Sequence, residues 1–260
     1  MKTALCYSGQ IGAFRKALHN QKKSFLNDCD DIYAYTSDVV SHKGVFQPNL
    51  PPHSQVYEYL KGGVTWRKHL PSYGSVYKVE KDVVEKELFL IKDKLKKYHV
   101  EYEDIFDTLD DYKLSKWEWL RKRQLWKMHS CNELIDGDYD VVVRSRFEFS
   151  PFVQIPIKKI FEKEGSENKI FVFGGWPCVP PMVFMDPFFC DGFAFGSPKA
   201  MSAFTSLYLQ ENPYPYDPKY KECWDKYGDN VEYQLKQHLK KHGIELVYIG
   251  NKRSMYHLER

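Results

Sequence analysis

The sequence contains no C-x-x-C pair, no G-x-G-x-x-G, no P-loop and no G-x-S-x-G. The first absence removes structural zinc and dithiol redox motifs, which need that ligand spacing. The other three argue against the common dinucleotide, NTPase and hydrolase readings, whose chemistry depends on the turns those glycines permit. His238 and His242 stand at the spacing of a zincin pair, but Leu239-Lys240-Lys241 between them lacks the glutamate of H-E-x-x-H. No window approaches the ~20 apolar residues that cross a bilayer. No N-x-[ST] sequon occurs, and the opening apolar run breaks at Ser8-Gly9 before an h-region of useful length. The six cysteines (6, 29, 131, 178, 190 and 223) are even in number, yet a chain of 260 residues needs no disulfide staples. A reducing cytoplasm is the expected location. A strong charge bias is missing too: 38 Lys+Arg against 35 Asp+Glu leaves a net +3, which makes no electrostatic case for nucleic acid.

Aromatic residues, by contrast, are plentiful: 19 Tyr, 17 Phe and 6 Trp make up 16% of the chain. With 43% hydrophobic and 28% charged residues the composition is that of a globular protein, which rules out disorder as the main state. The length allows one large domain or two small ones, and the pattern reads as a single domain over 1–260.

Thr3 to Tyr7 is a short apolar strand ended by Ser8-Gly9-Gln10, and the helix after it places Phe14, Leu18 and Phe25 on one face. Asp31 to Thr36 is a second strand. Strand, helix, strand predicts a parallel α/β sheet with its site at the carboxyl ends. Residues 41–75 carry Pro48, Pro51, Pro52, Gly62, Gly63, Pro71 and Gly74 without a sustained period, the mark of a loop-rich insertion. The stripe Val83, Val84, Glu87, Leu88, Ile91 and Leu95 predicts a helix over 80–98 with Lys92 to Lys97 as its solvated face. A second helix runs from about Lys116 to Ile135, opened by a Ser115/Glu118 capping box and stopped at Gly137. Val141-Val142-Val143 suits a central strand covered on both faces. Strands at 170–173, 192–196 and 244–249, a helix start at Ser197-Pro198 and a helix from about 230 to 242 capped by Gly243 complete the reading.

The chemistry concentrates where the triple-valine strand ends. Period-2 spacing puts Arg144, Arg146 and Glu148 on one side if the strand continues. Charges at the exit of a buried strand are costly unless paired or used. Two readings fit: an arginine fork for a phosphorylated ligand, or a solvated end with an internal Arg–Glu pair. Ser8, Gly9 and Gln10, with Arg15 beyond them, stand where a backbone turn can approach a ligand closely or where an ordinary turn would be. Thr36 and Ser37 end the second strand, as ligand contacts or as caps.

Tyr139-Asp140-Val141-Val142-Val143-Arg144-Ser145-Arg146-Phe147-Glu148 resembles the "YD-hhh-R-x-R-x-D" segment of nucleotide-sugar-dependent glycosyltransferases of GT-A fold, of the lipopolysaccharide and capsule type also carried by large viruses and phages. Ser8-Gly9-Gln10 with Arg15 and Asp31 to Thr36 resemble their opening "SGQ-x-R … D-h-h-h-T". Asp191 to Ser197 with Met201 resembles their "D-x-F-A-F-G-S-x-x-x-M", and Glu232 matches a late acidic position. The resemblance spans about residues 3 to 249 and implies a GT-A-like domain, α/β with a mostly parallel central sheet flanked by helices. It implies transfer of a sugar from a nucleotide-sugar donor to a glycan hydroxyl in glycan or polysaccharide synthesis, in the cytoplasm, or a host's cytoplasm for a viral chain. Ser8, Gly9, Gln10, Arg15, Thr36, Arg144, Arg146 and Glu148 then serve the donor. The sequence departs from the family at its "D-x-D" cation site, where Arg144-Ser145-Arg146-Phe147-Glu148 leaves Glu148 as the only carboxylate. Either the arginines neutralise the departing phosphate without metal, or Glu148 binds Mn²⁺ or Mg²⁺ with help from elsewhere.

Asp191 is the candidate general base for an inverting transfer, against the plain reading of Asp-Gly as a turn. Asp186 and Glu232 stand in reserve on the acceptor side, with Trp66 and Trp176 as stacking faces for a sugar ring or base. Two other classes remain: a non-catalytic carbohydrate-binding protein on a transferase-like fold, for which the missing D-x-D speaks, and a nucleotidyltransferase, whose Gly-rich phosphate loop is not found here.

Overall fold

A computed structural model of the chain describes residues 1–41, 76–78, 80–102, 115–174, 189–215, 231–250 and 256–258. The apolar run at the start forms β1 (Thr3–Ser8), followed by α1 (Phe14–Ser24) and β2 (Asp31–Ser37). After them come the short strands β3 (Val39–Ser41) and β4 (Val76–Lys78), then α2 (Lys81–Leu88) and β5 (Leu95–Glu101). One helical stretch follows in three parts: α3 (Lys116–Leu120), a π-turn (Arg121–Leu125) and α4 (Trp126–Glu133). The Ser115/Glu118 capping box opens it as the sequence predicts. The rest is β6 (Val141–Ser145), β7 (Phe149–Pro151), α5 (Ile157–Glu164), β8 (Lys169–Gly174), β9 (Phe189–Gly196), α6 (Pro198–Thr205), α7 (Val231–Lys241), β10 (Glu245–Gly250) and β11 (Tyr256–Leu258).

Among the described residues seven strands form the central sheet in the order β10-β8-β9-β6-β1-β2-β5. All neighbours are parallel except β9, which runs antiparallel to both β6 and β8. This is the expected α/β arrangement, a mostly parallel sheet flanked by helices. Small antiparallel pairs, β3 with β4 and β7 with β11, lie outside it.

Alternation sorts the strand residues onto two faces. Leu5, Tyr7, Val141, Val143, Phe193 and Phe195 join Phe14 and Leu18 of α1 and Leu88 of α2 in one core cluster. Ala4, Cys6, Val142 and Ala194 join Met128 of α4, Phe204 of α6 and Leu235 of α7 in the other. Much of the aromatic content is spent in the first cluster. Tyr7 stacks on Phe147 with centroids 5.0 Å apart, Phe149 on Phe193 at 5.1 Å and Phe171 on Phe195 at 4.9 Å. Such pairs add about 0.5–1.5 kcal/mol each beyond the area they bury. Of the loop aromatics, Tyr214 packs on His238, while Tyr57, Tyr59, Trp66, Tyr73, Trp176 and Tyr216 lie outside the described residues, as does nearly all of the 41–75 insertion.

The sequence misleads in two places. The helix expected over 80–98 ends at Leu88, and after a 3-10 turn (Phe89–Ile91) the lysine-rich stretch is the strand β5. Among the described strands β5 lies at the sheet edge with β2 as its one neighbour, and Lys96, Lys97, Tyr98 and His99 are exposed. Charged side chains on an open edge discourage pairing with another chain, and on the page they look like a solvated helical face. The second departure is β6, which stops at Ser145, so Arg146 and Glu148 belong to a turn rather than to a continued strand.

Candidate functional site

The chain lays down β1, β2 and β5 in one direction across the sheet, then returns to place β6 on the other side of β1. Connections therefore diverge between β1 and β6, and such a switch point leaves a crevice beyond the carboxyl ends of the strands. Ser8 ends β1 there, and Cys6 and Tyr7 face Arg144 and Ser145 in register. Gly9 turns the chain away with φ +118°, a conformation that side chains disfavour, and its N–H donates to Tyr35 O at 3.2 Å. Being antiparallel, β9 begins at this same edge. Two steps along β8, Val172 to Gly174, match five along β9, Ala194 to Phe189. The surplus residues form a bulge, a device that re-aims side chains at sheet rims, and Asp191 lies within it.

Four charged side chains meet at this point. Arg144 is 2% exposed, its Nε donates to Ser8 Oγ at 3.4 Å, and its Nη1 is buried with no hydrogen-bond acceptor among the described residues. Arg146 donates from Nε to Glu148 Oε1 at 2.7 Å, with Nη2 on the same oxygen, and places Nη1 3.7 Å from Asp191 Oδ2. The Arg146 N–H donates to Gly192 O at 2.9 Å, which ties the turn to the bulge. Glu148 Oε2 is buried and, among the described residues, accepts nothing. Asp191 is 6% exposed, and its Oδ2 accepts from the side-chain amide of Gln124 in the π-turn.

Of the two sequence readings of the arginines, the structure bears on the solvated end with an internal pair. Arg146 and Glu148 form the internal pair, but Arg144 is no solvated strand end. Burial pulls its guanidinium below the ordinary arginine value, the nearby Asp191 and Glu148 carboxylates oppose that shift, and Arg146 adds to it. The two carboxylates thus offset only part of the cost of burying this cation. Arg146 also bears on the metal. It stands between Glu148 and Asp191, where a bridging cation would have to lie, so these residues do not fit a bound divalent ion while that pair holds. Among the described residues no cluster of three or more His, Cys, Asp or Glu could hold a metal.

A further polar group lies at the ends of β2 and β5. Thr36, Ser37 and Asp38 are buried, and Thr36 Oγ1 has no hydrogen-bond partner among the described residues. Lys127 of α4, 4% exposed, donates to Ser37 Oγ at 2.8 Å with Glu101 Oε2 4.0 Å away. Of the expected donor residues, the structure thus brings Ser8, Gly9, Arg144, Arg146 and Glu148 together with Asp191, while Thr36 ends the neighbouring strand β2 with alternation turning it to the other face. Gln10 is half-buried next to Gly9. Arg15 is not brought there: it extends along the other face of the sheet to Glu87 of α2, with Nη2 to Oε1 at 2.7 Å. Glu232 lies in the first turn of α7, half-buried. Trp66, Trp176 and Asp186 lie outside the described residues. Gln124 and Lys127 escape a sequence reading because each sits in a helix where a polar residue ordinarily means a solvated face.

No family model matches the chain and no curated protein matches it. Among solved structures it is similar to 4-diphosphocytidyl-2C-methyl-D-erythritol synthase from Anaerococcus prevotii DSM 20548, at 9% identity over 100% of this chain and 91% of that one, with a TM-score of 0.46. Among the described residues no helix is long and apolar enough to cross a membrane.

Proposed function

We propose that the protein is a transferase that receives the phosphates of a nucleotide-linked donor in the β1/β6 crevice, and that the group transferred is a sugar. The observation that carries this is Arg144, buried at the switch point with Nη1 unsatisfied. A guanidinium fork matches phosphate oxygens, and in a low-dielectric crevice it stabilises the charge that builds on a departing nucleoside phosphate. Ser8 and the Gly9 turn line the same crevice, and Arg146 adds a second positive charge at its rim.

In the transfer, an acceptor hydroxyl attacks the anomeric carbon as the bond from that carbon to the phosphate oxygen breaks. The nucleoside phosphate leaves with the bonding pair, and Asp191 takes the hydroxyl proton. Glu148 keeps Arg146 in place. Trp66 and Trp176, as stacking faces, and Asp186 and Glu232, as reserve carboxylates, are assigned to the acceptor side. Incubation with UDP-, GDP-, TDP- and CMP-sugars, read as nucleotide release, tests this reading. Release from at least one donor is expected; no binding and no release with any of them overturns it.

A second reading survives because the same arginines would serve a departing pyrophosphate. A nucleotidyltransferase would use them so, and the products separate the two: pyrophosphate from a nucleoside triphosphate, or a nucleoside phosphate from a nucleotide sugar.

A further inference from the structure

The helical stretch from Lys116 to Glu133 buries Trp117, Leu120, Leu125, Met128 and Cys131. Spacings of three or four residues keep one face of an α-helix, but the step from Leu120 to Leu125 is five. The backbone follows: Trp126 N–H donates to Arg121 O, five residues back, which is the bond of a π-turn. Wide turns of this kind recur at functional sites because they displace side chains from the regular helical face. Arg121 and Gln124 of this turn reach distant segments. Arg121 Nε donates to Tyr208 O at 3.0 Å, which fixes the turn against the 3-10 segment after α6. Gln124 Nε2 donates to Asp191 Oδ2.

Asp191 is therefore held on one side. Its contacts with Gln124 and Arg146 both fall on Oδ2, and among the described residues Oδ1 accepts no hydrogen bond. A carboxylate tied by one oxygen presents the other in a fixed direction, which a general base requires. The bulge of β9 supplies the carboxylate and the π-turn supplies the donor, so two irregularities in separate elements converge on one group.

We propose that Gln124 is a positioning residue: presented by the π-turn, it fixes Asp191 so that Oδ1 faces the substrate hydroxyl. The catalytic consequence rests on the reading of Asp191 as the base; the contact itself does not. Gln124→Met keeps the length and removes the donor, and Gln124→Glu replaces the donor with an acceptor. Both variants should bind a nucleoside diphosphate within about two-fold of the unaltered protein. Turnover should fall about ten-fold or more in the methionine variant and further in the glutamate variant, because misplacing a reacting group costs rate rather than affinity. The contact is read without turnover by NMR. The Gln124 side-chain amide, assigned by its disappearance in Gln124→Met, should lie away from the free-glutamine position and return to it in Asp191→Ala. Asp191→Leu, which is close in size and has no acceptor, serves if the alanine variant does not fold.

An amide at the free position in the unaltered protein overturns the proposal. So does full turnover in Gln124→Met when Asp191→Ala is inactive, and so does a parallel loss of turnover, nucleotide affinity and thermal stability, which marks a merely structural role. Full turnover in Asp191→Ala, or no turnover with any donor, instead overturns the base reading, and the amide signal then decides the contact alone.

Discussion

Arg144 crosses from the sixth strand to the first and brings its Nε within 3.4 Å of the Ser8 hydroxyl, which accepts from it. That is a long bond to a neutral group for a side chain 2% exposed, and Nη1 has no acceptor among the described residues. The fold keeps a buried cation at a place where an apolar side chain would pack at less cost. Arg144→Met should therefore change the folding free energy by less than about 1 kcal/mol, or raise it, because a buried charge recovers little of its desolvation cost. Urea unfolding of the two proteins measures this. A loss of several kcal/mol would mean that Arg144 is structural.

Asp191→Asn keeps the shape of the β9 bulge and removes the proton acceptor. Turnover should fall about a hundred-fold or more, the usual worth of a general base, while nucleoside diphosphate affinity stays unchanged. Steady-state kinetics alongside calorimetry separate the two effects.

Arg146 stands between Glu148 and Asp191, so nucleotide binding should not depend on a divalent cation. Titration in EDTA and in Mn²⁺ should give affinities within about two-fold of each other. A strict requirement for Mn²⁺ would show that the Arg146 pair opens to admit one.

His238 offers a separate test of the body of the fold. It is 4% exposed, with the Tyr214 and Ser206 hydroxyls 2.8 and 3.0 Å from its ring nitrogens. Burial, with His242 and Lys241 nearby, lowers its pKa from 6.5 to about 4. The unfolded chain then binds the proton more readily, so this contribution is complete above about pH 6.5 and is lost as pH falls from there toward 4. Thermal midpoints should drop across that window, and His238→Gln should flatten the drop. Equal slopes in both proteins would contradict the assignment.

The parts of the fold legible in the sequence are those where local chemistry and final environment agree. Val141 to Val143 reads as a doubly covered strand and is one, and Ser115 with Glu118 reads as a capping box and is one. β5 was not legible, because lysines that protect a sheet edge and lysines on a solvated helix look alike until the partner strand is known. The helix α5 is hidden between Pro151, Pro156 and Gly165. At the candidate site, Arg144, Arg146 and Glu148 could be picked out by type and spacing, and Asp191 by the family resemblance and its place beside Gly192. That Arg146 faces both carboxylates could not, since it depends on the turn after β6 and the bulge in β9, both set by tertiary packing. Arg15 shows the opposite failure: its place in a motif suggested the site, while its helix carries it to Glu87 on the other face.

The most direct test is a calorimetric titration of nucleoside diphosphates into the unaltered protein and into Arg144→Met. Binding of at least one diphosphate is predicted for the first, with affinity weaker by about ten-fold or more in the second, the worth of a charge-assisted phosphate contact. No binding by the unaltered protein, or equal binding by both, would contradict the account.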